Sequence, residues 1–411
     1  MKRIPALLFI LLFYVTGAHA QQLRSGLWKA ALQRADGNDI VFNFDISYEK
    51  QLPVIRIRNA EERLEVRQVK VERDSVFIDM PFFESYFKLQ MQPDGLSLRG
   101  NWIKATSTGK DVVMPFIARH GSEPRFPSGK APATNISGRW DMEIIRPAGG
   151  TRPAIAELIQ EGSKLTGTIL TPSGDYRFLE GVVNGDSLFL STFDGSHAYV
   201  FSAHIGNDQT IKGGYFYSGP SHKEAFSARK NANAKLDLGN VSIFVKPGQD
   251  KLNFRFPDID GNHVGIKDDK FKNKVVVIQL MGSWCPNCMD ETNFLSNYYR
   301  NNKQRGIEMV ALAYEYSTDL ERSRKSLRKF QQRFNVDYPI LITPVTSSDT
   351  LRTEKTLPQL TAIKVFPSTI FLGKDGRVAK VHSGFYGPAT GDRYTEYIRE
   401  FEETVNSLLA E

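Results

Sequence analysis

Two hydrophobic rhythms divide this 411-residue chain. In the front half apolar and polar positions alternate. "VIRIRN" puts Ile55 and Ile57 on one face and Arg56 and Arg58 on the other, and "YVFSAHI" repeats the pattern with Tyr199, Phe201, Ala203 and Ile205. Period two marks half-buried antiparallel strands. Asp36-Gly37, Asp94-Gly95, Asn184-Gly185 and Asp194-Gly195 supply turns between them. Short strands with frequent turns predict an all-β small barrel or sandwich. From Lys274 the rhythm changes. "VVVIQLM" is continuously apolar, the mark of a strand buried on both faces. "CMDETNFLSNYYRNN" follows with Phe294, Leu295, Tyr298 and Tyr299 at helical spacing, and Gly306 stops it. "IEMVALAYE" is a second buried strand. "DLERSRKSLRKFQQRF" is a helix with Leu320, Leu327, Phe330 and Phe334 on one face. "STIFLGKDGRVAKVHSG" is a hairpin turning at Asp375-Gly376, and "DRYTEYIREFEETVNSLL" is a closing helix. The order β-α-β-α-β-β-α makes the first two strands parallel, with a right-handed crossover.

The front half repeats itself. "SGLW" at Ser25 matches "SGRW" at Ser137, and "DSVFI" at Asp74 matches "DSLFL" at Asp186, both 112 residues apart. "LRGNW" and "IKGGY" follow at an offset of 113, and "FIAR" and "FSAR" at 110. Four matches in order predict two related units. The expected organisation is a leader at 1–20, β units at 21–120 and 135–230, linkers at 121–134 and 231–247, and an α/β domain at 248–411. Trp28, Phe82, Phe83, Tyr215 and Tyr217 are read as core of the β units. No catalytic constellation stands out there; His197, His204 and His222 lack a metal-ligand spacing.

The first residues change the compartment. Lys2 and Arg3, the apolar run Leu7 to Val15 and the Ala18-His19-Ala20 site have the form of a cleaved secretory signal peptide. The expected location is periplasmic or otherwise exported, with cleavage after Ala20 and no span in the mature chain. The formal charge of +7 drops to +5 without Lys2 and Arg3. That balance gives no basic stripe for nucleic acid.

An exported chain is free to use disulfides, yet only Cys285 and Cys288 occur. They sit in "GSWCPNCMDE", between a buried strand and the helix after it. Cys285 at the first turn faces unpaired N–H groups and the positive dipole end, which lower a thiol's pKa. Pro286 suits the first helical position. A Cys2His2 zinc site completed by His263 and His382 is one rival, and a structural disulfide over so short a loop is another.

At this point the chain from about Gly248 to Leu409 resembles the TlpA/ResA-like group of exported thiol-disulfide oxidoreductases, which have a thioredoxin fold. "GSWCPNCMDE" resembles the group's active-site stretch, "FPDIDG" its lead-in, and "VFPSTIFLGKDGRV" its cis-proline segment. The resemblance implies Cys285 and Cys288 as a redox-active disulfide, Pro367 as the cis-proline, and Trp284, Pro286, Phe366 and Pro367 around a substrate groove. Thioredoxin keeps a buried Asp six residues before the first cysteine; here Gln279 stands there and cannot titrate. Glu291 becomes the expected acid/base. Asn293 and Phe366 also depart from the group's usual Pro and small aliphatic residue.

The implied substrates are disulfide-bonded or dithiol proteins, with a membrane thiol-electron carrier as reductant and no flavin or metal needed. A role in cytochrome c maturation is one version of this reading. Two other readings stay open: a peroxiredoxin-like thiol peroxidase, and a partner-binding β-domain protein with an accessory redox domain.

Overall fold

The computed structural model describes residues 22–121 and 123–411, so the expected leader lies outside the described residues. The first β sheet holds β1 (Gly26–Leu32), β2 (Ile40–Glu49), β3 (Leu52–Asn59), β4 (Glu62–Val66), β5 (Gln68–Glu72), β6 (Ser75–Asp79), β7 (Ser85–Met91), β8 (Ser97–Lys104) and β9 (Val112–His120). Each strand pairs antiparallel with its neighbour, and β1 pairs with β9. β4 and β5 flank Arg67; β4 pairs with β3 and β5 with β6, so together they act as one bent strand. The result is an up-and-down barrel, which removes free edges. Trp28, Phe42, Phe87, Trp102 and Phe116 fill it.

The second sheet comprises β10 (Gly138–Ile145), β11 (Thr151–Glu161), β12 (Lys164–Thr171), the short β13 (Gly174–Asp175), β14 (Leu179–Asn184), β15 (Ser187–Phe193), β16 (Ala198–Ile205), β17 (Thr210–Ser218) and β18 (His222–Lys230). It meanders in the same way, and β10 pairs with β18 to close it. Trp28 and Trp140 open the two sheets in matching style. Each indole N–H donates to the carbonyl four residues back, Arg24 and Ile136, at 2.9 Å. Trp28, Phe82, Phe83 and Tyr217 are buried, but Tyr215 is 38% exposed and not core. A register shift in β17 between Ile211 and Gly214 turns it outward, where Lys223 lies 4.0 Å from its ring centre.

The barrels are packed against each other. Phe42 stacks on Phe193 at 4.4 Å, and Ser191 Oγ donates to Val41 O at 2.6 Å. Within the 121–134 stretch Arg125 and Phe126 are buried, with Arg125 donating to Ser191 O at 3.1 Å and Phe126 stacked on Phe189.

After a small hairpin of β19 (Arg255–Pro257) and β20 (His263–Gly265) comes a five-stranded sheet. Its strands are β21 (Val275–Met281), β22 (Ile307–Ala313), β23 (Ile340–Ile342), β24 (Ser368–Leu372) and β25 (Val378–Ser383), in the order β23-β22-β21-β24-β25. β21, β22 and β23 are parallel, and β24 runs antiparallel to β21. β23 escapes the sequence pattern because three residues carry no periodicity. All seven residues of β21 are buried. Val275, Val277 and Met281 share a core with residues of α1 (Pro286–Asn302), α2 (Leu320–Phe334) and a C-terminal helix at Asp392–Ala410. Val276, Ile278 and Leu280 share another with Phe254, Leu357 and Ile363. Asp319 caps α2 by accepting from Glu321 N and Arg322 N, and Asn335 ends it in the left-handed region. Leu320, expected on the apolar face, is 42% exposed, because the first helical position lies beyond the stripe that meets the core. Among the described residues no helix is long and apolar enough to cross a membrane.

Candidate active site

β21 delivers the chain through Gly282 to the dithiol. Cys285 is the N-cap of α1 and Pro286 its first residue. Cys285 Sγ accepts the Cys288 N–H at 3.2 Å, filling one of the unpaired donors of the helix start. The two cysteines form a disulfide, with Cα atoms 5.2 Å apart. Cys285 is 4% exposed and Cys288 fully buried, so one sulfur borders the surface and the other faces the core. His263 and His382 lie on separate strands, β20 and β25, while each thiol is bonded to the other.

The loop before β24 forms the opposite wall. The Phe366–Pro367 peptide is cis. Cys285 Sγ lies 3.7 Å from Phe366 O. The Trp284 indole stacks on Tyr316 at 5.0 Å, sits edge-on to Phe366 at 5.9 Å, and donates to Tyr314 O at 2.8 Å. Trp284 and Phe366 are half-buried, whereas Pro286 and Pro367 are buried.

Farther along α1 lies a buried polar cluster. Glu291, one helical turn after Cys288, is fully buried. Its Oε2 accepts from Gln279 Nε2 at 2.8 Å, and its Oε1 from Thr369 Oγ1 at 2.7 Å and Tyr397 OH at 3.0 Å. Burial pushes its carboxyl up to about 7 against the pull of those donors. The sequence reading missed Glu315. It accepts from Ser283 N at 2.8 Å and Ser283 Oγ at 2.6 Å, so it fixes the residue before Trp284. Burial lifts this carboxyl to about 7 as well. Its signal was a carboxylate ending an apolar run.

The barrels also reach the site. Asp175 Oδ1 accepts from Asn287 Nδ2 at 3.2 Å and from Gly387 N at 2.8 Å. Ser196 Oγ donates to Trp284 O at 3.3 Å, and Lys104 Nζ in turn donates to Ser196 O at 2.7 Å. Arg177 Nε donates to Asp290 Oδ2 at 2.8 Å, Nη1 to Asp194 Oδ2 at 3.1 Å and Nη2 to Glu62 Oε1 at 2.5 Å. Farther along, Lys329 Nζ meets Asp79 Oδ2 at 2.8 Å and Arg322 Nε meets Glu84 Oε2 at 2.7 Å.

A disulfide capping a helix that follows a central parallel strand, opposite a cis-proline loop, defines a thioredoxin-fold thiol-disulfide oxidoreductase domain. Comparisons with known proteins agree: residues 246–393 match the Redoxin family model. Thiol-disulfide oxidoreductase ResA of Bacillus subtilis (strain 168) is 25% identical over 140 residues, 34% of this chain and 69% of the relative. ResA of Bacillus thuringiensis subsp. konkukian is 24% identical over 153 residues, 37% of this chain and 77% of the relative. Among solved structures, a DsbF homologue from Corynebacterium diphtheriae aligns with a TM-score of 0.31 at 19% identity, covering 41% of this chain and 97% of that one. A thiol-disulfide oxidoreductase from Bacteroides fragilis aligns with a TM-score of 0.27 at 16% identity, over 35% and 96%.

Proposed function

We propose that this protein is an exported reductase or isomerase of protein disulfides, with Cys285 as nucleophile and Cys288 as resolving thiol. The carrying observation is the asymmetry of the pair: Cys285 caps the helix at the surface edge, and Cys288 is enclosed beside the Glu291 cluster. The Cys285 thiolate attacks a substrate disulfide, forming a mixed disulfide and releasing a substrate thiolate. Cys288 gives its proton towards Glu291 and attacks the Cys285 sulfur. The Cys285–Cys288 disulfide forms, and the second substrate thiol leaves. Two electrons pass from protein to substrate, and a membrane thiol carrier returns them. Trp284, Phe366 and Pro367 line the groove. Cytochrome c maturation proteins form one substrate class within this reading.

The barrels are read as a duplicated unit. Matching meanders, matching Trp28 and Trp140 bonds and the sequence offsets support that reading. The test of function is insulin reduction with dithiothreitol, beside peroxide consumption. Precipitation of insulin chains with no peroxide loss is expected. Peroxide loss alone would favour a thiol peroxidase. The Cys288→Ala variant should retain substrates as mixed disulfides for identification.

A further inference from the structure

Asp175 and Arg177 belong to the second barrel, yet each bonds a residue of the redox helix. Asp175 holds Asn287, which lies between the two cysteines, and Arg177 holds Asp290, two residues after Cys288. Asp175, Arg177, Asp194 and Asp290 are at most 9% exposed. Arg177 is also the only residue of this group with a left-handed backbone, φ 57°. That region is unfavourable for any residue with a Cβ, and such a conformation persists where its surroundings fix it. Here the Arg177 N–H donates to Asp175 Oδ2 at 2.8 Å while the guanidinium is held by three carboxylates.

The charge count has a sign. Glu62, Asp175, Asp194 and Asp290 set four carboxylates against two cations, the Arg177 guanidinium and the Lys104 ammonium, with His197 against Asp194 at 3.1 Å. Glu291, three residues after Cys288, and Glu315, bonded to Ser283, are two further buried carboxyls close to the dithiol in the chain or through one bond. Burial brings Asp290 to about 6 and raises Asp175, against the pull of the Gly387 and Arg177 N–H groups and the Arg177 charge. Burial alone would lower Arg177; Asp290, Glu62 and Asp194 outweigh it and hold it protonated. A helix N-terminus favours the thiolate. Buried negative charge beside it does the opposite, and a less stable thiolate makes a dithiol more reducing.

We propose that the second barrel tunes the redox poise of the dithiol: Asp175 and Asp290, organised by Arg177, place net negative charge beside Cys285 and make the site more reducing than helix α1 alone would. Asp175 and Arg177 are positioning residues, acting through Asn287 and Asp290. The inference rests on the oxidoreductase reading above.

The full-length protein, wild type and Asp175→Asn, is equilibrated with reduced and oxidised glutathione, and iodoacetamide alkylation of Cys285 is followed against pH. Asp175→Asn keeps an oxygen for Asn287 and Gly387 but removes the charge. The equilibrium constant for its reduction should rise about tenfold, equivalent to about 30 mV for a two-electron couple, and the alkylation midpoint should move to lower pH. Asp290→Asn should shift both readouts the same way, and it decides alone if Asp175→Asn does not fold. A folded variant with unchanged equilibrium constant and alkylation midpoint, whatever its thermal stability, overturns the proposal. Failure of the wild type to reduce insulin would instead overturn the oxidoreductase reading.

Discussion

The side-chain amide of Gln279 donates to the carboxylate of Glu291 across 2.8 Å inside the core, and its own oxygen accepts from Thr292 Oγ1 at 3.0 Å. A non-titrating residue on the central strand thus supports a titrating one on the helix. The carboxylate has moved from strand to helix, one turn from Cys288. Glu291→Gln should therefore slow insulin reduction by about 100-fold or more at pH 7, in line with the usual contribution of a general base. At pH 9 Cys288 ionises unaided and the gap should narrow. Equal slowing at both pH values in a kcat profile would count against a proton-accepting role.

The same carboxylate has a stability signature. Its folded value of about 7 lies above the ordinary 4.5, so the native state holds this proton more tightly than the unfolded chain. Stability from this group is complete below pH 4.5 and declines as pH rises towards 7. Glu315 adds a decline in the same window. Glu291→Gln removes one of the two, so it should gain on the wild type by a few kcal/mol between pH 5 and pH 8. Urea midpoints across that range measure this; a constant difference would refute it.

Thiol chemistry should be ordered. In the disulfide-bonded structure Cys285 is 4% exposed and Cys288 is fully enclosed. In the reduced protein, iodoacetamide followed by peptide mass mapping should label Cys285 first, with an apparent pKa below the free thiol's ~8.5. Cys285→Ala should lose reductase activity, whereas Cys288→Ala should still form mixed disulfides. Early labelling of Cys288 would reverse the assignment.

At Gly174 the barrel lies against the redox helix with no room for a side chain. A Cβ there would lie 2.5 Å from Asn287 Nδ2 and 2.7 Å from Phe385 O, at φ +147°. Gly174→Ala should cost about 1–3 kcal/mol through forced displacement. It should loosen this contact, so trypsin should cut faster at Lys235 while insulin reduction persists. An unchanged digestion rate would show that the contact yields without opening.

The local patterns were legible because they are local. Alternation marked β3 and β16, the apolar run marked β21, and a Cys-Pro pair at a helix start marked the dithiol. The tryptophan of each "SG-x-W" stretch stood out because the two stretches repeat 112 residues apart, and each indole bonds the carbonyl just before its stretch. Asp175, Arg177, Asp194 and Glu62 were not legible. They come from separate turns and strands of two barrels, and in the sequence each reads as an ordinary surface charge. Only the tertiary packing that buries them beside Asp290 gives them meaning. Tyr215 misled for the converse reason, since a bulge elsewhere in its strand decides its face.

Phe42 meets Phe193 across the barrel pair, and Phe82 stacks on Phe334 of α2 at 5.8 Å. One apolar core thereby joins the interior of the first barrel to one side of the second barrel and to the redox fold. Such a chain is not a string of interchangeable beads. A redox module grafted here from another source would arrive without the aromatic sockets its hosts expect. Any change to the first barrel's inner wall is therefore inherited, through contact, by the catalytic half.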